Sequence, residues 1–313
     1  MLKYVVRRMG QAVIVLLLVS LIMFVLLHAM PGGLVRAQLG PRATRAAVRQ
    51  LTRLEGLTKP LPFQYGIWLW NLLHGNLGFS YRQNSQVATL LIQYFPRTLI
   101  LGGISLLLTV ILAIPLGVLQ GSRANQKLDY GITGGLVTLY SLPTFLKGAI
   151  LILVFSVVLG ILPDTAQNYG HSFGTDVTVL ILPILTLTLG SIAYFSRYIR
   201  SSVVDNLDEN YVRTARAKGV GRRRLLVRHV LRNALLPFVS VVGISLPTII
   251  SGTLIIEFLF DYPGLGLLYW DAQQTRTFPI MLGIVLLLSV FVVVGNLLAD
   301  LAYAALDPRI RYG

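Results

Sequence analysis

The chain has 313 residues, 55% of them apolar and 12% charged, with a net charge of +15 and no cysteine. A mean hydropathy of +0.72 places it among membrane proteins, because a soluble domain of this length cannot hide so much apolar surface. The basic excess gathers at one end and in two loops between apolar runs, which topology explains better than nucleic-acid binding, and the missing cysteine excludes disulfides, iron–sulfur clusters and thiolate metal sites.

A membrane-spanning helix needs about 20 mainly apolar residues. Six segments reach or approach that length: residues 11–30, 99–121, 131–160, 177–195, 238–256 and 279–306. They predict an all-α membrane protein of six transmembrane helices. Its expected parts are an anchor helix (1–30), a long extracytoplasmic loop (31–98), a five-helix core (99–306) containing a cytoplasmic insert (200–236), and a short tail (307–313). The first segment starts with Lys3, Arg7 and Arg8, as a secretory signal does. Its apolar stretch exceeds the roughly 7–15 residues of a signal core, and His28-Ala29-Met30-Pro31 is a poor cleavage site, so a retained anchor is expected.

Within the long loop, Arg42, Arg45, Arg49 and Arg53 recur at helical spacing around Val48, Leu51 and Leu54, which predicts a short amphipathic helix. Trp68, Trp70 and Trp270 fall near the outer ends of spans and fit an interfacial aromatic belt better than a ligand cage. Pro115, Pro143, Pro183 and Pro247 lie inside spans, where the carbonyls they free need other partners, so bent helices are expected.

Orientation follows from the short loops. Residues 122–130 carry Arg123 and Lys127, and residues 197–236 carry ten basic side chains. Both are expected in the cytoplasm, with both termini. The opposite loops agree: 161–176 has no Lys or Arg, and 261–278 has only Arg276. The first loop holds eight basic residues, but at this length loop charge ceases to direct topology.

Catalytic signals are weak. His28, His74, His171 and His229 have no metal-ligand spacing, and neither H-E-x-x-H nor a single Gly-Lys pair occurs. No catalytic or metal-binding residue is assigned, and any ATP hydrolysis falls to another polypeptide. Within the spans, Lys147 and Asp300 are the clear ionisable groups and, with Glu257, the candidates for a pathway. The Lys147 ammonium has two readings: a bond to carbonyls loosened by Pro143, or contact with an anionic part of a solute. An ion-coupled secondary transporter would need more such groups at the midplane, and a membrane-embedded enzyme would need a nucleophile or metal set.

The insert is the most informative segment. Asp205, Asp208 and Glu209 precede a helix-compatible run from Tyr211 to Lys218, and Gly219 stands where a left-handed cap would close it. A basic second helix follows from Arg222. A loop that merely obeyed the charge rule would need no such shape, whereas Ala215, Ala217 and Gly219 would let a partner approach closely.

The run Tyr-Val-Arg-Thr-Ala-Arg-Ala-Lys-Gly at 211–219, continuing to Leu236-Pro237, resembles the cytoplasmic loop by which permease subunits of ATP-driven importers grip their ATPase. Arg213 and Thr214 stand where other permeases have Glu and Ala, which is similar to the dipeptide, oligopeptide and nickel branch of the ABC permeases. The resemblance extends to Gly117 within Ile114-Pro115-Leu116-Gly117, to Glu257 ahead of Tyr262-Pro263-Gly264-Leu265-Gly266, and to the terminus 300–312. Met30-Pro31-Gly32-Gly33 departs from the family's Pro-Gly-Asp-Pro.

The resemblance implies a type I ABC importer permease fold in a bacterial or archaeal plasma membrane. It further implies a second homologous permease as partner, two ATPase subunits that bind ATP and Mg, and an extracytoplasmic solute-binding protein. No cofactor is expected in this chain and no nucleic acid as partner. Peptides are the implied solute, with nickel chelates as the alternative. The residues that would contact the ATPase are Glu209, Tyr211, Thr214, Ala215, Ala217, Lys218 and Gly219.

The charge bias places 200–236 inside the cell. A cysteine introduced at Arg223 is expected to resist an impermeant maleimide in intact cells and to react once the membrane is opened, and labelling from outside would overturn the topology.

Overall fold

The computed structural model describes residues 2–29, 35, 39, 43–54, 56–170 and 172–306. Met30-Pro31-Gly32-Gly33, Arg36, Arg42, His171 and the tail 307–313 lie outside the described residues. Helix α1 (Leu2–His28) is followed by α2 (Arg45–Leu54), α3 (Leu61–Leu73) and a hairpin of β1 (Phe79–Ser80) antiparallel to β2 (Ser85–Gln86). Next come α4 (Val87–Ser122), α5 (Lys127–Ser141), α6 (Thr144–Leu151) with a π-helical continuation Ile152–Val158, α7 (Phe173–Leu207) and α8 (Asn210–Ala217). A short helix Arg222–Arg224 and a π-helical stretch Leu225–Val230 lead into α9 (Leu231–Leu259), before α10 (Leu265–Gln274) and α11 (Phe278–Leu306). Among the described residues five helices are long and apolar enough to cross a bilayer, and the count is six if a pair bent by 100° is one broken span.

The bent pair occupies the expected span 131–160 and breaks it at Pro143, one of the prolines from which bent helices were expected. The arms Lys127–Ser141 and Thr144–Val158 meet at 100°. Pro143 has no N–H to continue the helix and its ring pushes the preceding residue out of helical conformation. Leu142 is accordingly extended at ψ 134°. Pro115, Pro183 and Pro247 remain inside continuous helices, so one of the four span prolines breaks its helix. Two other boundaries also move: α4 begins at Val87 rather than 99, and α9 at Leu231 rather than 238.

One compact unit is built mainly from Met1–Thr98 and Pro263–Leu301. Here α2 is the expected amphipathic helix, with Arg45, Arg49 and Arg53 exposed and Val48 and Leu51 half-buried. Trp68 and Tyr65 stack and pack on Phe24 of α1. Polar bonds fix the same pair of helices, from Ser20 Oγ to the Tyr65 hydroxyl and from His28 Nε2 to Gln64 Oε1, both 2.8 Å. The early part of α4 is ordered because Val87 and Leu91 are buried against α11, where a Cβ on Gly283 would come 2.7 Å from Val87 Cγ1.

The other unit is built mainly from Leu99–Tyr262. Its first core gathers Leu101, Leu182, Ile256, Phe260 and Tyr262, and its second gathers Ala113, Phe195, Ile199, Val203, Val212 and Phe238. The second depends on a close approach of α4 and α7. A Cβ on Gly117 would lie 2.7 Å from both the Ser196 carbonyl oxygen and Ile199 Cβ, and one on Gly121 would lie 2.7 Å from Val203 Cγ1. Small residues four apart let helix backbones touch in this way.

Gly117→Val is therefore expected to lose about 1–3 kcal/mol or more through overpacking, seen as a lowered thermal unfolding midpoint in detergent. Gly103→Val, whose Cβ meets nothing within 4 Å, keeps the wild-type midpoint. Equal midpoints for the two variants would contradict the closed seam.

Candidate functional site

The insert is built locally by caps. Asp208 ends α7, Glu209 is extended at ψ 147° and occupies the N-cap, and α8 runs for eight residues before Lys218. Gly219 then takes φ +74°, the left-handed conformation expected of it. The Gly219 N–H donates to the Arg216 carbonyl at 2.9 Å and the Val220 N–H to the Ala215 carbonyl at 3.2 Å. This is the Schellman arrangement, in which two orphan carbonyls of the last turn find donors.

The two faces of α8 differ. Val212 is fully buried and Ala215 nearly so, both in the core that also holds Leu225, Val230 and Ala234. The small Ala215 lets α8 lie close to its own chain, so its side chain belongs to the buried face of the helix and not to the exposed one. Tyr211 is half-buried, and its hydroxyl donates to Asn206 Oδ1 at 2.6 Å. Glu209, Thr214, Ala217, Lys218 and Gly219 are exposed, as are Arg213 and Arg216.

Side-chain bonds tie the insert to the helices around it. Asn206 donates to the Ser202 carbonyl at 2.8 Å, and Ser202 donates to the Ala234 carbonyl of α9 at 3.1 Å. Arg222 reaches the Ser122 carbonyl at the end of α4, at 2.8 Å. Ser122, Leu207, Arg216, Val220, Arg222, Leu225 and Leu226 line a cavity of about 370 Å³ under the insert.

Where α4, α5 and α7 meet lies a polar cluster that sequence reasoning missed. Asp129 is 1% exposed and accepts two bonds from Arg200, from Nε at 2.7 Å and from Nη2 at 2.6 Å. The Asn125 N–H also donates to Asp129, at 2.9 Å. Behind the pair, Gln120 donates to Thr133 at 3.0 Å and Ser196 donates to Gln120 at 2.6 Å. An acidic residue in the first turn of a span, next to a basic loop, was the available signal. Charge counting assigned Arg200 to topology instead.

The pathway candidates are held separately. Lys147 is 4% exposed in the first turn of α6, and its Nζ donates to the Leu139 carbonyl at 3.2 Å. Leu139 is the residue four before Pro143, so its carbonyl is the one that proline leaves without a helical donor. The structure thus supports the first of the two readings of Lys147. Glu257 is fully buried in α9 and accepts from Thr253 Oγ1 at 3.0 Å. Asp300 is on α11, and its side chain lies outside the described residues.

The sequence matches the family described as the inner membrane component of binding-protein-dependent transport systems over residues 113–312, and the N-terminal part of such components over residues 1–102. The chain belongs to this permease family. Over its full length it is 38% identical to the oligopeptide transport system permease protein AppB of Bacillus subtilis, covering all of that protein. It is 34% identical over its full length to the dipeptide transport system permease protein DppB of Escherichia coli, covering 99% of it, and 36% identical to the glutathione transport system permease protein GsiC of Pectobacterium atrosepticum, again over both full lengths.

Solved structures agree on the fold. The MetNI methionine ABC transporter in an inward-facing conformation aligns with a TM-score of 0.57 at 18% identity, over 70% of this chain and 96% of that one. An amino acid ABC transporter with histidines aligns with a TM-score of 0.54 at 15% identity, over 69% of this chain and 94% of that one. The permease is an all-α, multi-pass membrane protein with the type I importer fold, a transport component of an ABC system.

In this permease Lys147 serves the break between α5 and α6. Lys147→Met keeps the length of the side chain and strands the Leu139 carbonyl, at an expected cost of about 1–3 kcal/mol, measured as a lower thermal unfolding midpoint. Uptake of neutral and anionic solutes is expected to fall together. A loss confined to anionic solutes, with the midpoint unchanged, would place the ammonium against the solute instead.

Proposed function

We propose that the permease forms, with a second homologous permease, the membrane pathway of a peptide importer driven by two ATPase subunits and supplied by an extracytoplasmic binding protein. Peptides are favoured because the AppB and DppB proteins, aligned over the whole chain, are named for oligopeptide and dipeptide transport. The ATP and Mg belong to the ATPases. Both termini and the insert face the cytoplasm, in keeping with ten basic residues in 197–236 and none in 161–176.

The observation that carries the coupling role is the two-faced α8. Val212 and Ala215 root it in the core while Thr214, Ala217, Lys218 and Gly219 are exposed. A short helix seated this way transmits force because its own chain leaves it little room to yield. Closure of the ATPases displaces the insert, and the spans follow as rigid bodies that open the pathway to one side and then to the other.

Gly219→Val tests this coupling. A Cβ at Gly219 meets nothing within 4 Å, so the only strain comes from φ +74°, about 1–2 kcal/mol for a residue with a side chain. Normal insertion and assembly are expected, with solute-stimulated ATP hydrolysis reduced severalfold in the reconstituted complex. Undiminished stimulation would leave the insert with a topological role only.

A further inference from the structure

A loop whose basic residues only directed orientation would need no buried carboxylate. Asp129 is one, since it is 1% exposed and both of its oxygens are bonded to Arg200. We propose that Asp129 and Arg200 are positioning residues for coupling: their ion pair, backed by Gln120 and Ser196, makes the α4–α5 corner, the last turns of α7 and the insert move as one rigid piece. This rests on the proposal that the insert receives force from an ATPase.

Three sets of contacts converge on the pair. Packing comes first, because Gly117 and Gly121 bring α4 against Ile199 and Val203 so closely that neither glycine position admits a Cβ without displacement. Polar closure comes second. Ser196 and Gln120 are fully buried and bonded to each other at 2.6 Å, Gln120 continues to Thr133 of α5, and the Asn125 N–H closes the turn between α4 and α5 onto the same carboxylate. Attachment of the insert comes third. Arg222 is bonded to Ser122, two residues beyond Gln120, while Tyr211 is bonded to Asn206, six residues beyond Arg200.

The form of the pair suits a joint that transmits force. A guanidinium that donates two parallel bonds to one carboxylate resists rotation as well as separation, which a lysine cannot do. The ring of α4, α5 and α7 closed by this pair shares Ile199 and Val203 with the apolar core that holds Val212 and Ala215 of α8. A push on the exposed face of α8 therefore reaches three spans at once, rather than flexing the link between α7 and α8.

The absence of native cysteine permits a direct test in the complex reconstituted with its copurified ATPase. Spin labels at Arg223→Cys on the insert and Arg123→Cys on the α4–α5 corner, both exposed and neither among the residues assigned to the ATPase contact, are expected to keep one interspin distance with and without a non-hydrolysable ATP analogue. In the same labelled background Asp129→Asn is expected to broaden that distance and to lower the peptide taken up per ATP hydrolysed by about tenfold, within the range usual for coupling between sites. Arg200→Lys, which keeps the charge and loses the fork, falls between. A nucleotide-dependent distance in the otherwise wild-type protein, or a wild-type uptake ratio in Asp129→Asn, would overturn the proposal. Should Asp129→Asn not assemble, the distance measurement alone decides. Failure of the underlying function is separate, since the unsubstituted chain would then copurify no ATPase.

Discussion

A bilayer removes water from the backbone, so each N–H and carbonyl inside it must find a partner within the chain. Long helices satisfy that requirement here, and hydroxyls add to it where they are buried. Ser105, Thr109 and Thr186 each donate to the carbonyl four residues earlier at 2.7 Å, which partners the hydroxyl without opening the helix. The same constraint explains the place of Lys147. Where Pro143 turns the chain by 100°, the Leu139 carbonyl loses its helical donor, and the lysine reaches back to supply one. A charged side chain within a span is costly. It is retained where the backbone would otherwise be left with a vacant acceptor.

Outside the spans the constraint reverses, because an eight-residue helix in water is too short to hold its own shape. The helix α8 has little intrinsic stability, and its geometry comes from what surrounds it. Val212 and Ala215 supply the packing, Tyr211 ties its start to Asn206, and the Gly219 turn closes its end. A short helix built this way is rigid only as part of the permease. Its support includes the seam between α4 and α7, where Gly117 and Gly121 meet Ile199 and Val203 of the core that also holds Val212 and Ala215.

Local chemistry made much of this legible in the sequence. The amphipathic α2, the acidic start of the insert and the left-handed Gly219 each follow from residues within one or two turns of each other. Pro143 was less tractable, because Pro183 and Pro247 offer the same local chemistry and stay within continuous helices. At Pro143 the freed carbonyl of Leu139 meets a partner eight residues away, the Lys147 ammonium. The Asp129–Arg200 pair joins residues 71 apart in sequence, and no periodicity or spacing rule links them. Ala215 marks a different limit: a small side chain shows that something approaches closely, but the sequence does not say from which side.

On the coupling role and orientation proposed above, the insert divides between topological charge and coupling geometry residue by residue. Arg213, Arg216, Arg223 and Arg224 are exposed, as charges that only direct orientation would be, and any of them acts equally well from several rotamers. Arg200 and Arg222 are fixed by bonds to Asp129 and to the Ser122 carbonyl. A lysine in place of an exposed arginine preserves the charge count and hence the topology. The same change at Arg200 preserves the count and removes the two-point attachment, so orientation and coupling part company at that position. On the coupling role proposed for the insert, its arginines are thus alike in what they contribute to membrane insertion and unlike in what they contribute to the movement that follows it.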